Sequence, residues 1–254
     1  MTHKPIVSDD VSDTPVGGAV RKTTQEVICG DCLEVINTLE DNSVDCIIAD
    51  PPFSSGARQT SSMRARKGLV RSDWQEKWFG TDNLSSLGFL FFMRGVLLSS
   101  FQKIKESGHI YLFIDWRNYP LLFQVMESAG FRVNNLIVWD KVHFGMGTNY
   151  RNQHELIIFA SKGQPKESNN HSLSNVISIK RVRSEIHPTE KPVELLEKFV
   201  ENSTNEGEVI LDMFAGSGST LVAAKKKGRN FIGIEISPEY CEIARQRLQQ
   251  QTLL

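Results

Sequence analysis

A chain of 254 residues, 40% hydrophobic and 23% charged, is long enough to bury one sizeable α/β core. No apolar run approaches the roughly 20 residues of a transmembrane helix, and the opening residues lack the apolar stretch of a secretory leader. A formal net charge of −1 excludes a wholly basic nucleic-acid binder, so the distribution of charge matters more than its sum.

In chain order, residues 1–25 are polar, with Ser, Asp, Pro and paired glycines. They are expected to form a mobile tail ahead of a single domain over 26–254. Strands are predicted at 26–29, 44–49, 109–114, 134–139, 154–160, 208–212 and 230–235, where short runs rich in Val, Ile and Phe are bounded by Gly, Asn, Asp or Ser. Helices are predicted at 32–39, 84–106, 117–129, 190–203, 218–227 and 238–250. In the fourth, Val193, Leu196, Phe199 and Val200 recur at helical spacing. The last opens Ser237-Pro238-Glu239, which reads as N-cap, N1 proline and first-turn acid. Strands alternating with helices argue for a doubly wound, mostly parallel seven-stranded sheet covered on both faces. Ligands of such sheets bind beyond the carboxyl ends of the strands. Two stretches without a period, 54–83 and 161–186, are candidate insertions for substrate contact.

The four cysteines are Cys29, Cys32, Cys46 and Cys241. Cys29 and Cys32 have the spacing of a zinc or redox pair, but no second Cys/His pair stands at suitable spacing. Cys29 lies in the apolar run Val27-Ile28-Cys29 and reads as a small core residue, so no metal site is expected. Free thiols fit a cytoplasmic protein. Arg58, Arg64, Arg66, Lys67 and Arg71 crowd residues 54–72 with no acid among them, and Lys180, Arg181 and Arg183 form a smaller basic group. A charge run is often only a solvated loop. The first run, however, directly follows Asp50-Pro51-Pro52-Phe53, where phosphate contacts would flank a base pocket.

That tetrapeptide offers a carboxylate, a stiff double proline and an aromatic face, a set suited to a planar base held by its amino group. Near the other end, Val209-Ile210-Leu211 leads into Asp212-Met213-Phe214-Ala215-Gly216-Ser217-Gly218, a strand, a glycine turn and then a helix from Ser219. Glycines let the backbone approach a ligand, and a helix N-terminus presents free N–H groups. About 20 residues on, the strand Phe231-Ile232-Gly233-Ile234 ends in Glu235, placed for ribose hydroxyls. Leu221 stands where a dinucleotide fingerprint has its third glycine, and no phosphate-loop lysine follows. Asp212 would repel a pyrophosphate and favour an ammonium, so a ligand with an amino-acid end and a ribose fits better. S-adenosylmethionine has both.

In their joint order these segments resemble the β-group of DNA amino-methyltransferases. Asp212 to Thr220 is similar to that family's first cofactor motif, and His187-Pro188-Thr189-Glu190-Lys191-Pro192 to the short motif before it. Gly30-Asp31-Cys32-Leu33, followed by Val44 to Phe53, is similar to its opening. Asp73-Trp74, Trp78-Phe79, Trp139-Asp140-Lys141 and His154 to Phe159 also have counterparts. The resemblance covers about residues 26–248. It implies a class I methyltransferase fold with permuted motif order and S-adenosylmethionine as cofactor. It implies double-stranded DNA as partner, no membrane, and an association into homodimers that relatives often show.

The resemblance also implies roles. Asp31, with Cys32 beside it, would receive the cofactor's adenine amino group, Glu235 its ribose and Asp212 its ammonium. Thr189 and Lys191 would lie by the methionine end, with Phe214, Gly216, Ser217, Gly218, Ser219 and Thr220 lining the turn. Asp50, Pro51, Pro52 and Phe53 would be catalytic. Phe53 departs from the Tyr more common in adenine enzymes. The stretch between Phe159 and His187 is short for a separate recognition domain, which shifts specificity partly to 54–83. Adenine N6 is the expected target because the motif starts with Asp. Cytosine N4 uses the same chemistry, though relatives acting there often start with Ser. A protein-glutamine methyltransferase would usually start with Asn. A module that holds cofactor without turnover would not need Asp50, Asp212 and Glu235 together.

Overall fold

The structure is a computed structural model that describes residues 24–52, 86–145, 149–182 and 190–250. The elements in chain order are β1 (Gln25–Cys29), α1 (Cys32–Thr38), β2 (Val44–Ala49), α2 (Ser86–Lys103), β3 (Ile104–Ile114), α3 (Tyr119–Ser128), β4 (Phe131–Asp140), β5 (His154–Lys162), β6 (Val176–Ser178), α4 (Val193–Ser203), β7 (Val209–Asp212), α5 (Ser219–Lys226), β8 (Asn230–Glu235) and α6 (Pro238–Gln250). One sheet has the order β1-β8-β7-β2-β3-β5-β4-β6. Its neighbours run parallel except at β3–β5 and β5–β4, so among the described strands β5 alone is reversed.

Side chains alternate between two cores, as a sheet buried on both faces requires. On β3, Ile110, Leu112 and Ile114 face one core while Tyr111 and Phe113 face the other. The first core includes Ile36 of α1, Phe89, Met93 and Leu97 of α2 and Leu122 and Met126 of α3. The second includes Leu196 and Phe199 of α4, Val222 of α5 and Ala244 of α6. Among the described residues, three helices therefore cover each face. No helix among the described residues is long and apolar enough to cross a membrane.

Three details differ from the sequence reading. The sheet has an eighth strand, β6, where Val176–Ser178 pair with Val138–Asp140; three residues are too few to show a period. The predicted helix over 84–106 ends at Lys103, and β3 begins at Ile104. Register accounts for this boundary. Val44 pairs with Ile104 and Cys46 with His109, five steps on β3 against two on β2, so residues 105–108 bulge out around Ser107 with φ +64°. Cys29, expected in the core, is exposed at the end of the edge strand, and the buried thiol of the pair is Cys32.

Of the stretch 161–186, the described residues 161–182 divide between the two edges of the sheet. Lys166 N–H donates to the Ser107 carbonyl, and Asn169 is held by Glu201 and Thr204 carbonyls at the end of α4. That part packs at the amino edge of the parallel strands. There the His109 ring sits between Ser203 and the Lys166 carbonyl, and burial pushes its pKa down to about 4. Among the described residues of this stretch, those from β6 to Val182 return to the carboxyl edge.

Candidate active site

Asp31 after β1, Glu235 ending β8, Asp212 ending β7 and Asp50 after β2 follow one another in that spatial order along the carboxyl edge. Backbone hydrogen bonds lace their loops together. Gly30 N–H donates to the Glu235 carbonyl at 2.9 Å, and Ala215 N–H to the Ile234 carbonyl at 2.9 Å. The Glu235 carboxylate accepts from Gly216 N–H and Ser237 N–H, each at 2.8 Å, which ties the glycine turn to the end of β8. Asp31 caps α1, accepting from Leu33 N–H at 2.8 Å. Cys32 beside it is buried. Burial first, then the Asp31 charge, pushes its thiol up to about 12, so it is no nucleophile.

The turn after β7 needs its glycines. Gly218 has φ +82°, and a Cβ there would lie 2.9 Å from Ala244 Cβ. Leu221, in the place of a third glycine, is fully buried. Room for it comes from the neighbouring strand: a Cβ on Gly233 would lie 2.4 Å from Leu221 Cδ1. The close helix–strand approach is made by a glycine on β8 instead of one on the helix.

Asp212 is 3% exposed and accepts from Phe214 N–H at 3.0 Å. Burial raises its pKa to about 7; bonds from Thr220 and Phe214 oppose the rise, and the charges of Asp50 and Glu235 add to it. A buried acid poised this way, with two more carboxylates near, favours a cationic ligand.

Lys191, expected at the methionine end of a cofactor, stands in a cluster of charges. Its amine donates to Asp50 Oδ2 and lies 3.5 Å from Glu155 Oε2, with Lys141 3.2 Å from the other Glu155 oxygen. It also stands 5.1 Å from the centre of the Phe113 ring. Burial alone would lower its pKa, but Asp50 and Glu155 outweigh burial and raise it to about 12. Burial likewise opposes ionisation of Glu155, yet Lys191 and Lys141 hold its pKa below the usual carboxylate value.

Glu155 was read from sequence as part of a strand with a counterpart in the family but given no role in the site, because nothing local marks a strand acid as a lysine's partner. Arg247 was missed as well, since its partners are distant in sequence. Arg247 of α6 donates to the Ser217 carbonyl at 2.8 Å, to Ser217 Oγ at 2.9 Å and to Glu190 Oε1 at 2.6 Å. Ser219 Oγ lies 3.4 Å from the same Glu190 oxygen. Ser217 and Ser219 thus help join the glycine turn to the segment ahead of α4.

Asp50, buried Pro51 and Pro52 leave β2 together toward this edge. Lys180 and Arg181 are exposed just after β6. Lys180 borders an open groove of about 460 Å³ shared with Val142, Val182, Pro192 and Glu194. The β4–β5 loop adds exposed Phe144 and Tyr150, with the Arg151 guanidinium 3.8 Å from the Phe144 ring centre. Phe53, Arg58, Arg64, Arg66, Lys67, Arg71, Arg183 and Thr189 lie outside the described residues, as do 54–83 and nearly all of the predicted tail.

YubD of Escherichia coli (strain K12), whose name carries the word methylase, is 31% identical over 222 residues, covering 87% of this chain and 88% of its own. The type II methyltransferase M.HpaI of Haemophilus parainfluenzae is 29% identical, over 89% of this chain and 75% of its own. The fold is similar to that of the PvuII DNA methyltransferase, described as cytosine-N4-specific, with a TM-score of 0.68 at 18% identity over 88% of this chain and 87% of that one. It is also similar to M1.HpyAVI in complex with SAM, with a TM-score of 0.63 at 24% identity over 88% of this chain and 98% of that one. The DNA methylase family, N6_N4_Mtase, matches residues 44–246, from β2 through most of α6 and across every acid described above except Asp31. With the strand-end acids, the glycine turn and the Asp-Pro-Pro corner all inside that match, this chain belongs to the DNA methylase family.

Proposed function

We propose that this protein moves a methyl group from S-adenosylmethionine to the N6 amino group of adenine in double-stranded DNA, the base having left the stack. The observation that carries the reading is the placement of Asp50 on the same strand edge as Asp212 and Glu235, so that a base-binding carboxylate adjoins an acidic, glycine-lined cofactor cradle. The cofactor supplies a methyl group on a positively charged sulfur, and its ammonium and sulfonium charges match these acids. Asp212 would take the ammonium, and Glu235 and Asp31 would face the ribose and adenine ends. Thr189 belongs to the same proposed cradle.

An exocyclic amino group is a poor nucleophile while its lone pair is delocalised into the ring. Asp50 would accept one amino N–H and favour a pyramidal nitrogen. Held there, the nitrogen would be aligned to take the methyl in line, the N–C bond forming as the C–S bond breaks and the sulfur leaving as a neutral thioether, with positioning supplying much of the rate. The surplus proton would pass from the nitrogen to water once the methyl has arrived. Phe53 would stack on the base. Lys180 and Arg181, with Arg183 and the basic residues of 54–72, would hold phosphates. Adenine is preferred because the Pro-Pro motif opens with Asp50.

The test is in vitro methylation of unmodified DNA, followed by nucleoside mass spectrometry and modification-sensitive sequencing. N6-methyladenine is expected, and Asp50→Ala should abolish transfer while cofactor affinity is nearly kept. N4-methylcytosine would overturn the base assignment, and full activity in Asp50→Ala would overturn the mechanism.

A further inference from the structure

The catalytic carboxylate does not stand alone in its pocket. Lys191, on the segment entering α4, reaches Asp50 at the end of β2 and Glu155 near the start of β5, and Lys141 reaches Glu155 from the end of β4. Four charges of alternating sign thus cross from the strand edge under the base pocket to the loop that follows β4. Lys191 is 8% exposed, and its side chain passes the Phe113 ring, so its amine has little freedom to swing away.

We propose that Lys191 and Glu155 are positioning residues for methyl transfer: Lys191 fixes the orientation and charge of Asp50, and Glu155 fixes Lys191. This rests on the reading that Asp50 receives the amino group of the base. A carboxylate must hold one rotamer to bend that group toward the methyl, and a misplacement of an ångström costs about a hundredfold in rate. Lys191 supplies the hold from one side of Asp50. Glu155 keeps it from being only a counter-ion, because the amine is stretched between one carboxylate just after β2 and another on β5. The raised pKa of Lys191 keeps the ammonium charged across any assay range. The charged groups facing Asp50 among the described residues are Lys191 from the α4 approach, Asp212 from β7 and, beyond the lysine, Glu155 from β5. Lys191 alone among them favours its ionised form.

The two partners therefore have opposite electrostatic effects on Asp50. Removing the lysine charge leaves Asp50, Glu155 and Asp212 facing one another, so the acid limb of the transfer rate should move to higher pH, by about one to three units. Removing the Glu155 charge gives Lys191 wholly to Asp50, and the limb should move to lower pH.

The experiment is single-turnover methylation of duplex DNA at saturating S-adenosylmethionine across pH, with cofactor affinity measured in parallel. Wild type, Lys191→Met, Lys191→Arg and Glu155→Gln are compared. Lys191→Met should lose about a hundredfold or more in rate near neutral pH with little change in cofactor affinity. Lys191→Arg should restore the limb toward its original position. Glu155→Gln should shift the limb the other way. If Lys191→Met fails to fold, the near-isosteric Glu155→Gln and the charge-keeping Lys191→Arg still decide. An unmoved limb in folded Glu155→Gln overturns the proposal. So does weakened cofactor affinity with an unchanged transfer rate in a lysine variant, which would return Lys191 to the cofactor. Failure of the underlying reading would appear separately, as transfer surviving in Asp50→Ala.

Discussion

Asp212 should stabilise the cofactor complex at the expense of the empty protein, and Asp212→Asn separates the two effects. The side chain is 3% exposed, and its pKa rises from 3.8 to about 7, chiefly through burial. Between those values the folded protein holds a proton that the unfolded chain has released, so wild-type stability falls as pH rises through this window. Asparagine is neutral throughout. It can still accept from Phe214 N–H and pair with the Thr220 hydroxyl. At about 1.4 kcal/mol per pH unit, a displacement of about three units gives the variant an advantage of about 4 kcal/mol near pH 8. Near pH 5 the advantage should shrink to about 1–2 kcal/mol. Urea denaturation of both proteins at several pH values measures this difference, and the opposite acid dependence of His109 cancels between them. Calorimetry near pH 8 should show the variant losing about 1.5–3 kcal/mol of S-adenosylmethionine affinity, the worth of a charge-assisted bond. Wild-type affinity should weaken below about pH 7 as Asp212 takes a proton, while the variant's stays flat. A stability advantage that is constant from about pH 5 to about pH 8 would refute the argument, because a neutral packing effect has no such slope.

Gly233→Ala should destabilise the protein by about 1–3 kcal/mol, since the new methyl meets buried Leu221 at 2.4 Å. The double variant with Leu221→Ala should lose less than the sum of the two single losses, and simple additivity in the double-mutant cycle would show that the two do not touch. Replacing Lys180 and Arg181 with Ala should weaken DNA binding and reduce the slope of log K against log salt by up to about 0.9 for each phosphate no longer neutralised. Cofactor affinity should stay level, and an unchanged salt slope would make both residues a solvated surface.

The amino-acid sequence by itself determined the alternation of strands and helices and the chemistry of the strand ends. Seven of eight strands and all six helices of the described residues carry apolar runs or helical spacing of their own, and these signals are local. The order of the Asp50, Lys191, Asp212 and Glu235 motifs was likewise open to view, and so was the family they resemble. Tertiary structure alone decided which charges meet. Lys191 and Asp50 are 141 positions apart, and Glu155 joins them because β5 runs antiparallel beside β3 and brings its start to the carboxyl edge. Arg247 finds Ser217 and Glu190 through the packing of α6, and Gly233 makes room for a leucine on another element. The division of 161–182 between the two edges of the sheet follows from the same cause. Local sequence sets which residues can form a strand or a turn, whereas strand order and direction set what lies opposite each strand end, and no residue carries that information alone.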